Sequence, residues 1–207
     1  MNEIIPGVYH WVSQHEGIGQ GVSSYYLTHG GDAVVIDPRE PDEGLKWFDD
    51  MPVPSAVILT NRHHYRHSDR LSDAWACGVL CQQEALQEFS PEQNVQGFEF
   101  GERLPLDIEA VEIGALNAEE TALYIPWAHA VAFADALVRG GEQGPLSFLP
   151  DFLMGDDPAA VKSGLVAGFR RLLERDFDNI LFAHGIPIVG GGKAALQRFV
   201  DEVAAAL

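Results

Sequence analysis

Three histidines, His63, His64 and His67, stand in the polar run from Asn61 to Ser68, directly behind the apolar stretch Ala56-Val-Ile-Leu59. Two more ionisable residues hold the same kind of place. Asp135 follows the apolar run Ala130–Ala134, and His184 follows Asn179–Ala183. Imidazole and carboxylate groups are good ligands for borderline and hard metal ions. Short apolar runs of this kind read as buried strands, and open α/β sheets present their functional groups at the carboxyl ends of strands. The chemistry to expect is therefore metal binding, provided that the three strand ends share one rim.

The elements that would position these groups can be read from pattern. Gly7–Ser13, Ser24–Thr28 and Ala33–Asp37 alternate or run apolar as strands, the last ended by Pro38. Between the first two, Gln14–Gly21 reads as a Gly-rich loop. Gly44–Asp50 suggests a short helix closed by Pro52 and Pro54. Ser68 is a candidate N-cap for a helix to Cys77 that Gly78 ends; Val79–Gln82 is a strand and Glu84–Phe89 another short helix. Strands follow at Gly97–Phe100, Ile108–Ile113, Thr121–Ile125 and Ala130–Ala134. After a long loop, Arg139–Gly155, the clearest helix spans Pro158–Phe177, with Val161, Leu165, Phe169, Leu172 and Leu173 on one face. A final helix spans Lys193–Leu207. Strands then helix, twice over, predicts two sheets packed face to face with helices outside, in a single domain 1–207.

Composition bounds the function. With 31 acidic against 13 basic residues, the net charge of −18 argues against a nucleic-acid surface, where Lys and Arg must offset phosphate. It also disfavours an anionic membrane, and no apolar segment approaches the length of a membrane span. The partner to expect is a small-molecule substrate or ligand; a homodimer is left open, with Leu146, Phe148, Leu149, Phe152 and Leu153 able to cap a pocket or form a contact between copies. The two cysteines, Cys77 and Cys81, have neither redox nor zinc-ribbon spacing and read as small core residues. The N-terminus lacks a basic, apolar leader, so the expected location is the cytoplasm.

Five segments, in order, resemble the metallo-β-lactamase-fold hydrolases over nearly the whole chain. Val34-Val-Ile-Asp-Pro38 is similar to that family's early strand with its structural Asp, here Asp37. Leu59-Thr-Asn-Arg-His-His-Tyr-Arg66 falls on T-H-x-H-x-D-H. Ile113–Leu123 falls on G-H-T-x-G-x-x-A-L, Phe133-Ala-Asp-Ala-Leu137 on G-D-A-L, and Leu181-Phe-Ala-His-Gly-Ile-Pro187 on the final x-G-H-G-x-P. The resemblance implies an α/β fold, a four-layer αββα sandwich, and one or two zinc, manganese or iron ions activating a water.

The departures shape the functional expectation. Asn61, Tyr65, Arg66 and Ala115 stand where the family's ligands would be, while His63, Asp135 and His184 match. The resemblance thus assigns His63, Asp135 and His184 as metal ligands. Arg66, a permanent cation, would repel a dication and could pair with Asp135 in place of the metal. Asp135, Arg66 and Tyr65 are the candidate catalytic groups, and Asn61 and His67 the candidate substrate contacts. Tyr65 either acts chemically or fills the vacated site. His64, His67 and His129 are extra donors from which a rearranged site could be built, although His64 and His67 read first as loop-surface residues. Two functions follow: a hydrolase-like protein with a reduced or lost metal site, acting if active on an ester, thioester, lactone or phosphoester and expected to bind zinc, manganese or iron weakly or not at all; or a non-catalytic relative that binds a small molecule or protein partner, with Arg66 and Asp135 replacing the metal charge.

Overall fold

A computed structural model describes residues 1–141 and 144–206. Seven strands form the first sheet in chain order: β1 (Asn2–Ile5), β2 (Val8–His15), β3 (Gln20–His29), β4 (Asp32–Ile36), β5 (Ala56–Ile58), β6 (Gly78–Gln82) and β7 (Val95–Phe98). Pairing is antiparallel from β1 to β4 and parallel from β4 to β7. The second sheet is built from β8 (Arg103–Leu104), β9 (Ile108–Glu112), β10 (Thr121–Ile125), β11 (Ala130–Phe133) and β14 (Asn179–Phe182), in the order β14-β11-β10-β9-β8. A small hairpin, β12 (Val138–Arg139) with β13 (Leu146–Ser147), stands apart. Three helices complete the chain: α1 (Ser68–Trp75), α2 (Pro158–Leu172) and α3 (Gly192–Ala204).

Alternation along the strands sorts side chains into three apolar layers. Tyr25, Leu27, Ile36 and Ile58 face inward and meet Ile108, Leu123, Ile125 and Leu181 of the other sheet. Their neighbours Tyr26, Val35 and Val57 face outward against Phe48 and Leu71. On the far side Val131, Phe133, Ile180 and Phe182 pack under Leu165, Phe169, Leu196 and Val200 of α2 and α3. The period of two in a strand is what places consecutive apolar residues in different layers. Each such side chain contributes roughly 1.5–3 kcal/mol on burial. Tyr25 also ties the sheets by polar contacts: its hydroxyl donates to the Phe182 carbonyl at 2.8 Å and accepts from the Phe182 amide at 2.9 Å. The expected αββα layering is thus present.

Several boundaries differ from the sequence reading. The Gln14–Gly21 stretch is no open loop, because β2 and β3 remain paired out to His15 and Gln20, leaving only a hairpin tip. The helix at Pro158 stops at Leu172, so Phe177 lies outside it. Ala76, in the left-handed conformation at φ 52°, ends α1 before Gly78 is reached. Ser68 does not cap α1; His67 holds that position. The two short helices at 44–50 and 84–89 are single 3-10 segments, Leu45–Phe48 and Gln83–Glu88. The long loop 139–155 carries the β12–β13 hairpin, with residues 142–143 outside the described residues; Phe148 stacks on Phe169 and meets Phe199 edge-on in the outer layer, while Phe152 is exposed.

Candidate metal centre

The site is assembled around Asp37, just beyond β4. Its backbone is left-handed, at φ 47°, a conformation that costs energy for a residue with a Cβ and tends to mark functional positions. Its buried carboxylate organises the next strand end. One oxygen accepts the Thr60 amide at 2.8 Å and the other the Thr60 hydroxyl at 2.5 Å. Asn61 then starts a tight turn: its side-chain oxygen accepts from the His63 amide at 3.0 Å, and Arg62–His64 winds as a 3-10 helix. Successive side chains on such a turn point in different directions. His63 is turned out to solvent and His64 is buried.

His64 is the residue that faces the other strand ends. Its Nδ1 donates to Asp37 at 2.9 Å, and its Nε2 lies 3.4 Å from Asp135 Oδ1. Asp135 and His184 arrive from β11 and β14, which run parallel with Phe133 level with Phe182. Two residues beyond each of these phenylalanines, the chains deliver Asp135 and His184 to the same edge, where His184 Nε2 lies 3.0 Å from Asp135 Oδ1. One ligand atom from each of His64, Asp135 and His184 lies within 4.8 Å of the others. Among the described residues these are the side chains that could jointly hold a metal ion.

The electrostatics follow from burial and neighbours. Burial alone would lower the His64 pKa, but the carboxylates of Asp37 and Asp135 outweigh it and raise the imidazole to about 9. Burial likewise opposes ionisation of Asp135, yet His64 and His184 hold its carboxyl well below the usual range. Beside it lies a second buried acid, Glu120. Desolvation and the Asp135 charge push Glu120 up to about 8. Asn61 sits between the two acids, its amide donating to Asp135 Oδ2 at 2.8 Å and to Glu120 Oε2 at 3.3 Å. The Ala136 amide donates to the other Glu120 oxygen at 2.6 Å.

Asp135 and His184 thus meet as expected, but the histidine that joins them is His64, and His63 is not brought into the group. Nor does Arg66 pair with Asp135. Its Nη1 donates to the backbone carbonyls of Ser23 at 2.7 Å and Asp37 at 2.6 Å. Tyr65 does not fill the site either; it packs outward on Phe89, with ring centroids 5.8 Å apart. Asn61 is central but is engaged with the two acids. His67 accepts the Glu40 amide at 3.1 Å, and His129 is exposed beside Asp176. The Gly190 and Gly191 amides donate to the side chains of Asn179 and Asp178, and the Gly192 amide to the Asp178 carbonyl. Nothing in the sequence assigns Glu120 a chemical role. Its one signal was a pair of adjacent acids, Glu119-Glu120, immediately before an apolar strand.

The residues present fit a single metal ion. His64 and His184 offer nitrogen and Asp135 offers Oδ1, a two-histidine, one-carboxylate set that leaves coordination positions open. The outer contacts agree: Asp37 fixes the His64 tautomer through Nδ1, and Asn61 occupies the second oxygen of Asp135, the kind of support that metal-bound histidines and carboxylates receive.

No family model matches the chain, and no curated protein matches its sequence. Solved structures do. TTHA1623 in a di-iron-bound form is 24% identical, with a TM-score of 0.66, over 84% of this chain and 92% of that one. The metallo-β-lactamase from Erythrobacter litoralis is 18% identical, with a TM-score of 0.68, over 100% of this chain and 96% of its own. The metallo-β-lactamase family protein TTHA1429 from Thermus thermophilus is 14% identical, with a TM-score of 0.66, over 98% and 81%. The layers, the strand order and these matches together give the chain the metallo-β-lactamase fold.

Proposed function

We propose that this chain is a hydrolase of the metallo-β-lactamase superfamily with a reduced, single-ion site, acting on an ester, thioester, lactone or phosphoester. The observation that carries this is the convergence of His64, Asp135 and His184 within 4.8 Å, with Asp37 bonded to the far nitrogen of His64. Zinc, manganese or iron suits the donor set, and the di-iron form of the structurally similar TTHA1623 supports metal chemistry on this fold. The chemistry such an ion supplies when bound is Lewis-acid polarisation of a carbonyl or phosphoryl oxygen and activation of a water. The chain's own residues do the rest. Asp37 keeps the proton of His64 on Nδ1, so that Nε2 is free to ligate. Asn61 holds Asp135 so that Oδ1 faces the site. Glu120, held by the Ala136 amide and bonded to Asn61, places a second carboxyl with a raised pKa behind Asp135, as a candidate proton carrier.

A second reading rests on His64 itself. As an imidazolium lying between Asp37 and Asp135, it satisfies both carboxylates without an ion, as expected of a non-catalytic relative that binds a small molecule. Metal analysis separates the two. The hydrolase reading expects one zinc, manganese or iron per chain in the purified protein, lost in His184→Ala and Asp135→Ala together with esterase or phosphodiesterase turnover. A protein that stays metal-free after incubation with each ion and hydrolyses no panel substrate belongs to the second reading.

A further inference from the structure

Among the described residues, four buried side-chain polar atoms have no hydrogen-bond partner: His15 Nδ1, Arg39 Nε, Arg66 Nη2 and Ser68 Oγ. Buried polar groups are nearly always bonded, so each such atom asks for a water or a ligand. The segments that carry Arg39, Arg66 and Ser68 adjoin one another. Arg66 Nη1 donates to the Asp37 carbonyl at 2.6 Å; that carbonyl also accepts from the Ser24 hydroxyl at 2.9 Å, which in turn accepts the Arg39 amide at 2.9 Å. The His67 amide donates to the Pro38 carbonyl at 3.1 Å, and the Glu40 amide donates to His67 Nδ1 at 3.1 Å. The segments 37–40 and 66–68 are therefore laced together, and the β2–β3 hairpin tip reaches them where Arg39 Nη2 donates to Glu16 at 2.7 Å.

The chemistry of the unpartnered atoms selects a ligand class. Guanidinium nitrogens only donate, and hydroxyl and imidazole can donate, so the complement is an acceptor without hydrogens of its own. Charge points the same way. The Arg39 side chain is 7% exposed in a chain of net charge −18, and its ion-pair partner among the described residues, Glu16, is 81% exposed at the hairpin tip. A carboxylate resting on a buried guanidinium from an exposed tip is itself an example of what the guanidinium takes.

We propose that Arg39, Arg66 and Ser68 form a binding site for an oxyanion, a carboxylate or phosphate group, adjoining the metal centre, with the Glu16 carboxylate occupying Arg39 in its absence. The anion is either the charged group of the substrate, in which case the inference rests on the hydrolase reading, or a free ion acting on the same site.

Inorganic phosphate and acetate, titrated calorimetrically into the full-length protein after EDTA treatment, test this. Saturable binding of at least one is expected. Arg39→Gln weakens it at least about ten-fold, as expected for loss of a charge-assisted bond. Glu16→Gln, a change at an exposed tip that leaves the fold intact, strengthens it several-fold. His184→Ala leaves it unchanged, because this site is separate from the ion. Absence of saturable binding in both the unmodified protein and Glu16→Gln would show that the four atoms hold only water; loss of binding in His184→Ala would place the anion on the metal. Either result overturns the proposal. Phosphate binding to a protein that takes up no metal keeps this site while removing the hydrolase reading. In active protein, phosphate that competes with a carboxylate-bearing nitrophenyl ester but not with nitrophenyl acetate assigns the site to substrate; an unchanged KM for both assigns it to a free anion.

Discussion

The two sheets contribute to the metal centre in different ways. The second sheet supplies Asp135 and His184 from the ends of two adjacent parallel strands in register, and both stand where the strand pattern puts them. The first sheet supplies its group from a 3-10 turn beyond β5, and there the expected residue is displaced by its neighbour: His63 faces solvent and His64 faces Asp135. A strand end fixes the place of the next residue or two to within a pleat. A tight turn rotates each successive side chain by about a third of a circle, so a change in where it starts changes which residue points inward. What selects His64 is Asp37, whose carboxylate can bond only an imidazole that lies inside the turn.

Breaking the second-sheet side should have the largest effect. Asp135→Ala removes the one carboxylate shared by both histidines and leaves His64 buried with a single acidic partner, so metal binding should be abolished and the metal-free protein destabilised by about 3 kcal/mol or more. Metal analysis and chemical denaturation check this, and a stable, metal-loaded Asp135→Ala protein would refute the shared-ligand geometry. On the first-sheet side, Asp37→Asn keeps the shape but weakens the hold on the His64 tautomer. Metal affinity should fall about 10–100-fold, measured by competition with a chromophoric chelator, with smaller losses if Asp37 only braces the backbone of Thr60.

Titration of the metal-free protein sharpens the same contrast. His64 is raised from 6.5 to about 9, so its contribution is complete below the unfolded value and is lost as pH rises through about 9. Glu120 is raised from 4.5 to about 8, so it too disfavours the folded state as pH rises through that interval. Asp135, lowered from 3.8, instead loses its contribution only in acid. The metal-free protein should therefore be most stable on the acid side of neutrality and lose roughly a few kcal/mol by pH 9 to 10, measured by urea denaturation across pH. His64→Gln should flatten the alkaline part of that curve; an unchanged slope would mean that His64 is not the charged group. The smallest effect is expected at Tyr65, which packs away from the site. Tyr65→Phe should change stability by no more than about 0.5 kcal/mol and leave metal affinity unaltered.

The same physical difference decides how much was legible in the sequence. The αββα layering was, because alternation in β2–β4 and the α2 stripe of Leu165, Phe169 and Leu172 report directly which faces are buried. Asp135 and His184 were legible for the same reason. His64 was not, because its partner Asp37 is distant in sequence and the burial of the pair is a tertiary fact. Arg66 was misplaced because a cation in a lost ligand position suggests an acid as partner. Left-handed at φ 47°, its backbone instead sends the guanidinium to the Ser23 and Asp37 carbonyls. Glu120 escaped notice because an acidic pair before a strand ordinarily marks a solvated turn, and only the packing against Asn61 and Ala136 shows it buried.

The account turns on which of two adjacent histidines enters the metal centre. Zinc titration of His63→Ala and His64→Gln, side by side and with folding of each verified by circular dichroism, asks this directly. The structure predicts that His63→Ala binds within about two-fold of the unmodified protein while His64→Gln loses at least about 100-fold. The reverse order, with His63→Ala losing the ion and His64→Gln retaining it, would contradict the account.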